Sequence, residues 1–415
     1  MKTRDKVKQA AERLGISKLK QEQIEPINQI LDGKDALVIY PVGFGKSAIM
    51  QVPALVRSER PTIVFEPTVS LMYDQVQHLN SIGIHAEYLA CRNKKNHSKI
   101  LARYKEGKTN ILYVAPERLW DCNFRIAISQ REPWLIAVDE AHCVLEWGRD
   151  FRPLYQKIGN VIDAFEQRPV VLAMTATAPP DYRPDLQQAL HMRDGKIFTT
   201  SLERPNLILI RDNLESDKIE SRCRRLHTLL NRYMGNGRAV IYCATKADAD
   251  KVYNYLKEDY PEDVAECHAF MDGDERESDE MLFIKGRRRI MIATTAFGMG
   301  VDLPDIRLIV HFSMPINPIA YYQQIGRAGR DSEKSHCVLL YHPDDRLRFS
   351  KILENEEEKY GKEARKRLEA GIDQMEEIAR GNQCMMQAVL NQLGEPNPKP
   401  CGHCSVCQRN RVTGI

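Results

Sequence analysis

No stretch of this 415-residue chain stays apolar long enough to cross a bilayer. The N-terminus, Met1-Lys2-Thr3-Arg4-Asp5-Lys6, has no apolar signal core. Neither sign of charge dominates: 60 basic side chains face 57 acidic ones, for a net charge of +3. There is no low-complexity tract and no repeat with a period of roughly 20–50 residues. These absences argue against a membrane-spanning, secreted or solenoid protein, and an intracellular one is expected. The charge balance neither demands nor excludes nucleic acid, because a local basic groove fits inside a balanced total. What remains is 43% hydrophobic and 28% charged, the mix of a soluble globular chain. At this length two or three domains are expected.

The stretch from Trp134 to Pro153 organises the rest. Trp134-Leu135-Ile136-Ala137-Val138 is a short apolar run, as in a strand buried on both faces. Asp139 and Glu140 follow where that strand should end, and strand carboxyl ends are where parallel sheets bind ligands. One carboxylate suits Mg²⁺, and its neighbour suits a water to be positioned or deprotonated. Trp147, Arg149, Phe151 and Arg152 come next. Aromatics stack on bases, while arginines pair with phosphates or stack on bases, so this loop is a candidate nucleic-acid sensor.

Upstream, the strand Ala36–Tyr40 runs into Pro41-Val42-Gly43-Phe44-Gly45-Lys46-Ser47. A helix opening inside that loop offers free N–H groups and a positive dipole end to phosphate. Gly43 and Gly45 permit the turns, Lys46 reaches the β- and γ-phosphates, and Ser47 ligates Mg²⁺. The strict phosphate-loop pattern has a glycine where Tyr40 stands, so the match is imperfect. Further strands are expected at Thr62–Phe65, Asn110–Val114 and Val170–Met174. The last runs into Thr175-Ala176-Thr177. Helical stretches separate them, which predicts a doubly wound parallel sheet.

The pattern then repeats without a phosphate loop. Strands are expected at Ala239–Cys243, Asp263–Cys267, Ile290–Ala293 and Leu308–Phe312, with a helix over Tyr321–Gly329. The fold class is therefore α/β, with two tandem doubly wound parallel-sheet lobes and a boundary near Leu202–Arg211. Beyond Tyr341 a charged helical run extends from Arg346 to Arg380. Of 11 cysteines, Cys384, Cys401, Cys404 and Cys407 cluster at the C-terminus. Four thiolates suit tetrahedral Zn²⁺ in a closed structural site, although an iron–sulfur cluster takes the same ligands.

Together these motifs resemble a superfamily-2 helicase core of the RecQ family, from about Leu14 to Cys407. Leu-Lys-Gln-Glu-Gln (19–23), Pro-Val-Gly-Phe-Gly-Lys-Ser (41–47), Asp-Glu-Ala-His-Cys (139–143) and Trp-Gly-Arg-Asp-Phe-Arg-Pro (147–153) carry the likeness. So do Ala-Phe-Gly-Met-Gly-Val-Asp (296–302), Tyr-Tyr-Gln-Gln-Ile-Gly-Arg-Ala-Gly-Arg-Asp (321–331) and the four-cysteine tail. The resemblance implies two RecA-like lobes, residues 1–202 and 203–343, and a small helical zinc-binding subdomain, 344–415. It implies ATP, Mg²⁺ and Zn²⁺ as cofactors, and DNA as partner, single-stranded or as tailed or forked duplex.

The same resemblance implies that Gln23 reads the adenine edge beside Lys20, with Ile16 where an adenine-stacking aromatic is usual. Val42 replaces a usual Thr beside Pro41 and Phe44 in the phosphate loop, and Asp302 joins the nucleotide site. Asp139 holds Mg²⁺ through its water shell, and Glu140 activates the attacking water. Arg330 is the arginine finger, flanked by Arg327 and Gln323. Trp147, Arg149, Phe151 and Arg152, with Ser70 and Thr294, contact single-stranded DNA and couple it to hydrolysis.

The expected activity is ATP-driven translocation along single-stranded DNA with 3′→5′ polarity, unwinding duplexes in repair or recombination. An RNA-remodelling ATPase and a nucleotide-gated DNA clamp with little unwinding are the alternatives. The implied form is short, without a winged helix or HRDC domain. The expected location is the cytoplasm in a bacterium, on the nucleoid, and the nucleus in a eukaryote.

Overall fold

A computed structural model of the chain describes residues 3–144, 157–295, 297 and 303–413. The chain divides into two compact units, Met1–Ser201 and Leu202–Ile415. The first is built on seven parallel strands: β1 (Ala36–Ile39), β2 (Thr62–Phe65), β3 (Ala86–Leu89), β4 (Ile111–Val114), β5 (Leu135–Val138), β6 (Val170–Thr175) and β7 (Lys196–Thr199). Their order across the sheet is β3-β4-β2-β5-β6-β1-β7. In β1, Ala36 and Val38 enter one hydrophobic core while Leu37 and Ile39 enter another. A strand whose successive side chains are all buried needs helices on both faces of the sheet, hence the continuous apolar runs. The expected central strands are all present. β3 and β7 were not expected: they lie at the sheet edges, and Glu87 and Lys196 break their apolar signal.

The second unit has six parallel strands: β8 (Leu207–Asn213), β9 (Arg238–Tyr242), β10 (Val264–Cys267), β11 (Ile290–Ala293), β12 (Ile306–His311) and β13 (Ser335–Tyr341). Their order is β10-β11-β9-β12-β13-β8. β8 falls in the stretch expected to be a boundary, and it pairs along its whole length with β13. The charged run after Tyr341 is interrupted. A 3₁₀ segment, Pro343–Phe349, leads to helices Ser350–Tyr360 and Lys362–Arg380, broken at Gly361 with φ of 85°.

A buried charge network fastens this tail to the sheet. Fully buried Arg222 donates to Asp217 (2.6 Å), to Asp345 (2.5 Å) and to the Phe312 carbonyl (2.5 Å). Arg348 donates to Asp248 (2.9 Å) and to Asp217 (2.9 Å). Breaking such a pair on one side strands a buried charge, at a cost of about 3–5 kcal/mol. Among the described residues no helix is long and apolar enough to cross a membrane.

Candidate nucleotide and zinc sites

β1 ends at Ile39, and the helix Lys46–Val56 starts after Gly45, whose φ of 87° requires glycine. Gly43, at φ 80°, supplies the other left-handed turn. Lys46 Nζ donates to the Tyr40 carbonyl (3.1 Å) and the Pro41 carbonyl (3.4 Å), so the ammonium is held back over its own loop. Ser47 occupies the first turn of the helix, half-buried. Val42 is half-buried in the same loop, and Pro41 is buried.

Gln23 is attached to this loop. Its amide Nε2 donates to the carbonyls of Gly45 (3.1 Å) and Phe44 (3.4 Å), and its Oε1 accepts from the Lys20 backbone N–H (2.9 Å). A Cβ on Gly45 would lie 2.7 Å from that amide nitrogen, a second reason for glycine there. The Lys20 ammonium sits 4.1 Å above the Phe44 ring. Ile16 packs, half-buried, on the core of the same unit.

The carboxylates stand on the same sheet edge. Asp139 N–H donates to the Phe65 carbonyl (2.9 Å), extending the β2–β5 ladder, and Asp139 Oδ1 accepts from the Glu140 N–H (2.9 Å). Glu140 has φ of 46°, a strained conformation for a side chain that is not glycine. β6 lies between β5 and β1 and links the two halves of the site. His142 Nδ1 lies 3.4 Å from Glu140 Oε2 and 3.0 Å from Thr175 Oγ1. Thr175 Oγ1 donates to the Thr177 carbonyl (3.0 Å), and the Thr175 carbonyl accepts from the Tyr40 N–H (3.1 Å).

Burial, then the neighbouring Glu140, pushes the Asp139 carboxyl up to about 6, while Lys46 pulls the other way. Burial and Asp139 also hold Glu66 well above the usual carboxylate range. Glu66, 2% exposed at the end of β2, is a third carboxyl that sequence reasoning did not single out. A raised carboxyl pKa means that the folded state keeps a proton the unfolded chain has lost. The Asp139 contribution to the stability of the metal-free protein therefore falls as pH rises from about 4 to about 6, and levels off above that. Asp139→Asn removes that cost. In urea melts without metal or nucleotide it is expected to stabilise by about 1–2 kcal/mol at pH 7.5 and by nothing measurable at pH 4.

In the second unit the helix Pro318–Ile325 is capped by Asn317, whose Oδ1 accepts from the Ala320 N–H (2.7 Å). Expected as Tyr321–Gly329, it instead stops before Gly326. Gln323, Arg327 and Arg330 are half-buried on the helix and the turn after it. Buried His311, whose pKa burial lowers to about 3, stays neutral and meets Gln324 at 2.9 Å.

The extended segment Glu203-Arg204-Pro205-Asn206 was expected only as a boundary. It is a brace for the arginine turn. The Arg204 guanidinium donates to the carbonyls of Gly326 (3.2 Å), Ala328 (2.9 Å) and Gly329 (3.1 Å). Asn206 Nδ2 donates to the carbonyls of Gly329 (2.9 Å) and Glu333 (3.0 Å). A Cβ on Gly329 would meet that nitrogen at 2.5 Å. Arg204→Ala frees three carbonyls and loosens the turn bearing Arg327 and Arg330. Misplacing a transition-state group by about 1 Å costs on the order of 10²-fold, so a fall of roughly 10–100-fold in ATPase kcat is expected. Zinc content and nucleotide affinity should not change.

Trp147, Arg149, Phe151, Arg152 and Asp302 lie outside the described residues. Ser70 is exposed in the first turn of the helix Val69–Ser81. Thr294 follows β11, half-buried, its N–H donating to the Cys267 carbonyl (3.2 Å).

The four C-terminal cysteines converge, and their sulfurs all lie within 4.8 Å of one another. Cys384 Sγ is 3.4 Å from Cys401 Sγ and 3.8 Å from Cys404 Sγ. Zn–S bonds of about 2.3 Å in a tetrahedron separate sulfurs by about 3.8 Å, so the cage fits Zn²⁺. Cys384 stands at the N-cap position of the helix Met385–Gln392. The cage is seated on β8: His403 Nε2 lies 3.2 Å from the Leu207 carbonyl, and the Arg211 N–H donates to Ser405 Oγ (3.0 Å). The Arg211 guanidinium donates to the carbonyls of Gly381 (2.5 Å) and Ile378 (2.8 Å). Structural zinc contributes on the order of 10 kcal/mol to folding. Cys404→Ser is expected to lose this zinc and lower Tm by about 10 °C or more, read by metal analysis and calorimetry.

A phosphate loop and a carboxylate pair on one parallel-sheet edge define a P-loop nucleoside triphosphatase, here followed by a second parallel-sheet unit and a cysteine cage. The DEAD/DEAH box helicase model matches residues 20–184, the helicase conserved C-terminal domain 221–332, and the RecQ zinc-binding model 343–408. The chain belongs to the RecQ family of superfamily-2 helicases. It is 34% identical over 407 residues to the ATP-dependent DNA helicase RecQ of Bacillus subtilis, covering 96% of this chain and 66% of that protein. It is 34% identical over 397 residues to the same-named protein of Pasteurella multocida, covering 95% of this chain and 60% of that one. The chain thus spans less than two thirds of these relatives' length. Dbp5 of S. cerevisiae, bound to RNA and ADP BeF3, shares the fold at a TM-score of 0.68 and 18% identity, over 88% of this chain and 97% of that one.

Proposed function

We propose that this protein is an ATP-dependent DNA helicase that couples hydrolysis to movement along single-stranded DNA and to duplex unwinding. The observation that carries the reading is Lys46 and the Asp139–Glu140 pair on one sheet edge, joined through His142 and Thr175. In this reading Lys46 and the loop N–H groups bind the β- and γ-phosphates. Ser47 and Asp139 hold Mg²⁺, which neutralises developing charge on the phosphates when bound. Glu140 orients and deprotonates the attacking water, and Arg330 stabilises the transferring phosphoryl group, with Arg327 and Gln323 beside it. Gln23 keeps the phosphate loop in register with the adenine side, where Ile16 and Lys20 lie.

ATP is gripped through its γ-phosphate, and hydrolysis removes the contacts that only the γ-phosphate makes. Repeated cycles move the strand. Trp147, Arg149, Phe151 and Arg152, with Ser70 and Thr294, are assigned to the strand contact, and Asp302 to the nucleotide side. The proposed division is 1–202, 203–343 and 344–415.

The test is unwinding of duplexes carrying a 3′ tail, a 5′ tail or a fork. Unwinding from the 3′ tail and the fork, but not from the 5′ tail, is the expected result. Equal stimulation of the ATPase by RNA and DNA, with no unwinding of any substrate, contradicts the reading.

A further inference from the structure

A second cluster of metal-ligating side chains lies in the second unit, apart from the cysteine cage and from the arginine turn. Asp250 projects from the helix Lys246–Asp259, Glu266 lies in β10, and His268 follows that strand. One ligand atom from each lies within 4.8 Å of the others. His268 Nε2 is 3.2 Å from Asp250 Oδ1 and 3.7 Å from Glu266 Oε1. These are near the ligand-to-ligand separations of a first-row divalent ion with bonds of about 2.0–2.2 Å.

Polar satisfaction points the same way. The His268 side chain is only 5% exposed, and its Nε2 faces the two carboxyls. Glu266 Oε1 is buried and accepts no hydrogen bond. Buried polar atoms without partners are uncommon, and a missing ion is one of their ordinary explanations.

We propose that Asp250, Glu266 and His268 form a binding site for a divalent transition-metal ion. One imidazole with two carboxylates suits Mn²⁺ or Zn²⁺ rather than Ca²⁺, which prefers six or more oxygens. The Asp250 side chain is 43% exposed, which leaves the open side of the ion to water or to an oxygen ligand from solution. The ion would tie the first turns of the helix Lys246–Asp259 to the carboxyl end of β10. This site does not depend on the helicase reading.

The test is Mn²⁺ binding to the full chain without nucleotide, followed by electron paramagnetic resonance, which the thiolate cage does not contribute to because it favours softer ions. Wild type is expected to bind one Mn²⁺ more per chain than Glu266→Gln or His268→Gln, each weakening that site by roughly tenfold or more. Asp139→Asn should keep it. Asp250→Asn, at the exposed side, serves if a buried substitution impairs folding. The proposal is overturned if wild type, Glu266→Gln and Asp250→Asn bind Mn²⁺ alike.

Discussion

Glu140→Gln is expected to bind ATP as tightly as the native chain and to hydrolyse it on the order of 10²–10⁴ times more slowly. The amide keeps the shape and size of the carboxylate but cannot take a proton from water. Lys46, the glycine turns and the Gln23 brace do not touch the substituted group, so ground-state binding should survive. The strained φ of 46° at Glu140 supports a functional role, because such a conformation costs on the order of 1–3 kcal/mol and persists only when its surroundings enforce it. Those surroundings are the Asp139 carboxylate on its own N–H and His142 on its side chain. Nucleotide binding by fluorescence and single-turnover hydrolysis separate the two quantities. Native turnover in the variant would remove Glu140 from its assigned role.

Arg330→Ala is expected to reduce kcat by roughly 10³–10⁵ while changing nucleotide affinity far less. A finger contributes most where charge spreads over the transferring phosphoryl group, so its loss falls on the transition state. Arg204→Ala should resemble it in kind and be weaker in size, because it misplaces the finger without deleting it. Combining the two should add little to Arg330→Ala alone, since both act on one turn. A drop in affinity that matches the drop in kcat would mean Arg330 anchors the ground state instead.

The central strands were legible in the sequence because burial on both faces leaves a continuous apolar run, as at Leu135–Val138. The edge strands β3, β7 and β8 were not, since solvent admits residues such as Glu87, Lys196 and Arg211 there. The phosphate loop and the cysteine cage were legible because spacing alone carries their chemistry. Glu66 and Arg204 were not. Glu66 matters because the β2–β5 register sets it beside Asp139, and Arg204 because a fold-back of more than a hundred residues brings it to Gly326. Local sequence does not encode either neighbour. The Gln23 side chain bonds to the carbonyls of Gly45 and Phe44 in the phosphate loop, a contact that no pattern of residue types reveals.

Steady-state ATPase measured at saturating ATP, with and without a single-stranded oligonucleotide, is the most direct examination of the coupling between strand and nucleotide. The account requires a rate many times higher with DNA present, and loss of that increase in Trp147→Ala. Identical rates with and without DNA in a chain that hydrolyses ATP would contradict it.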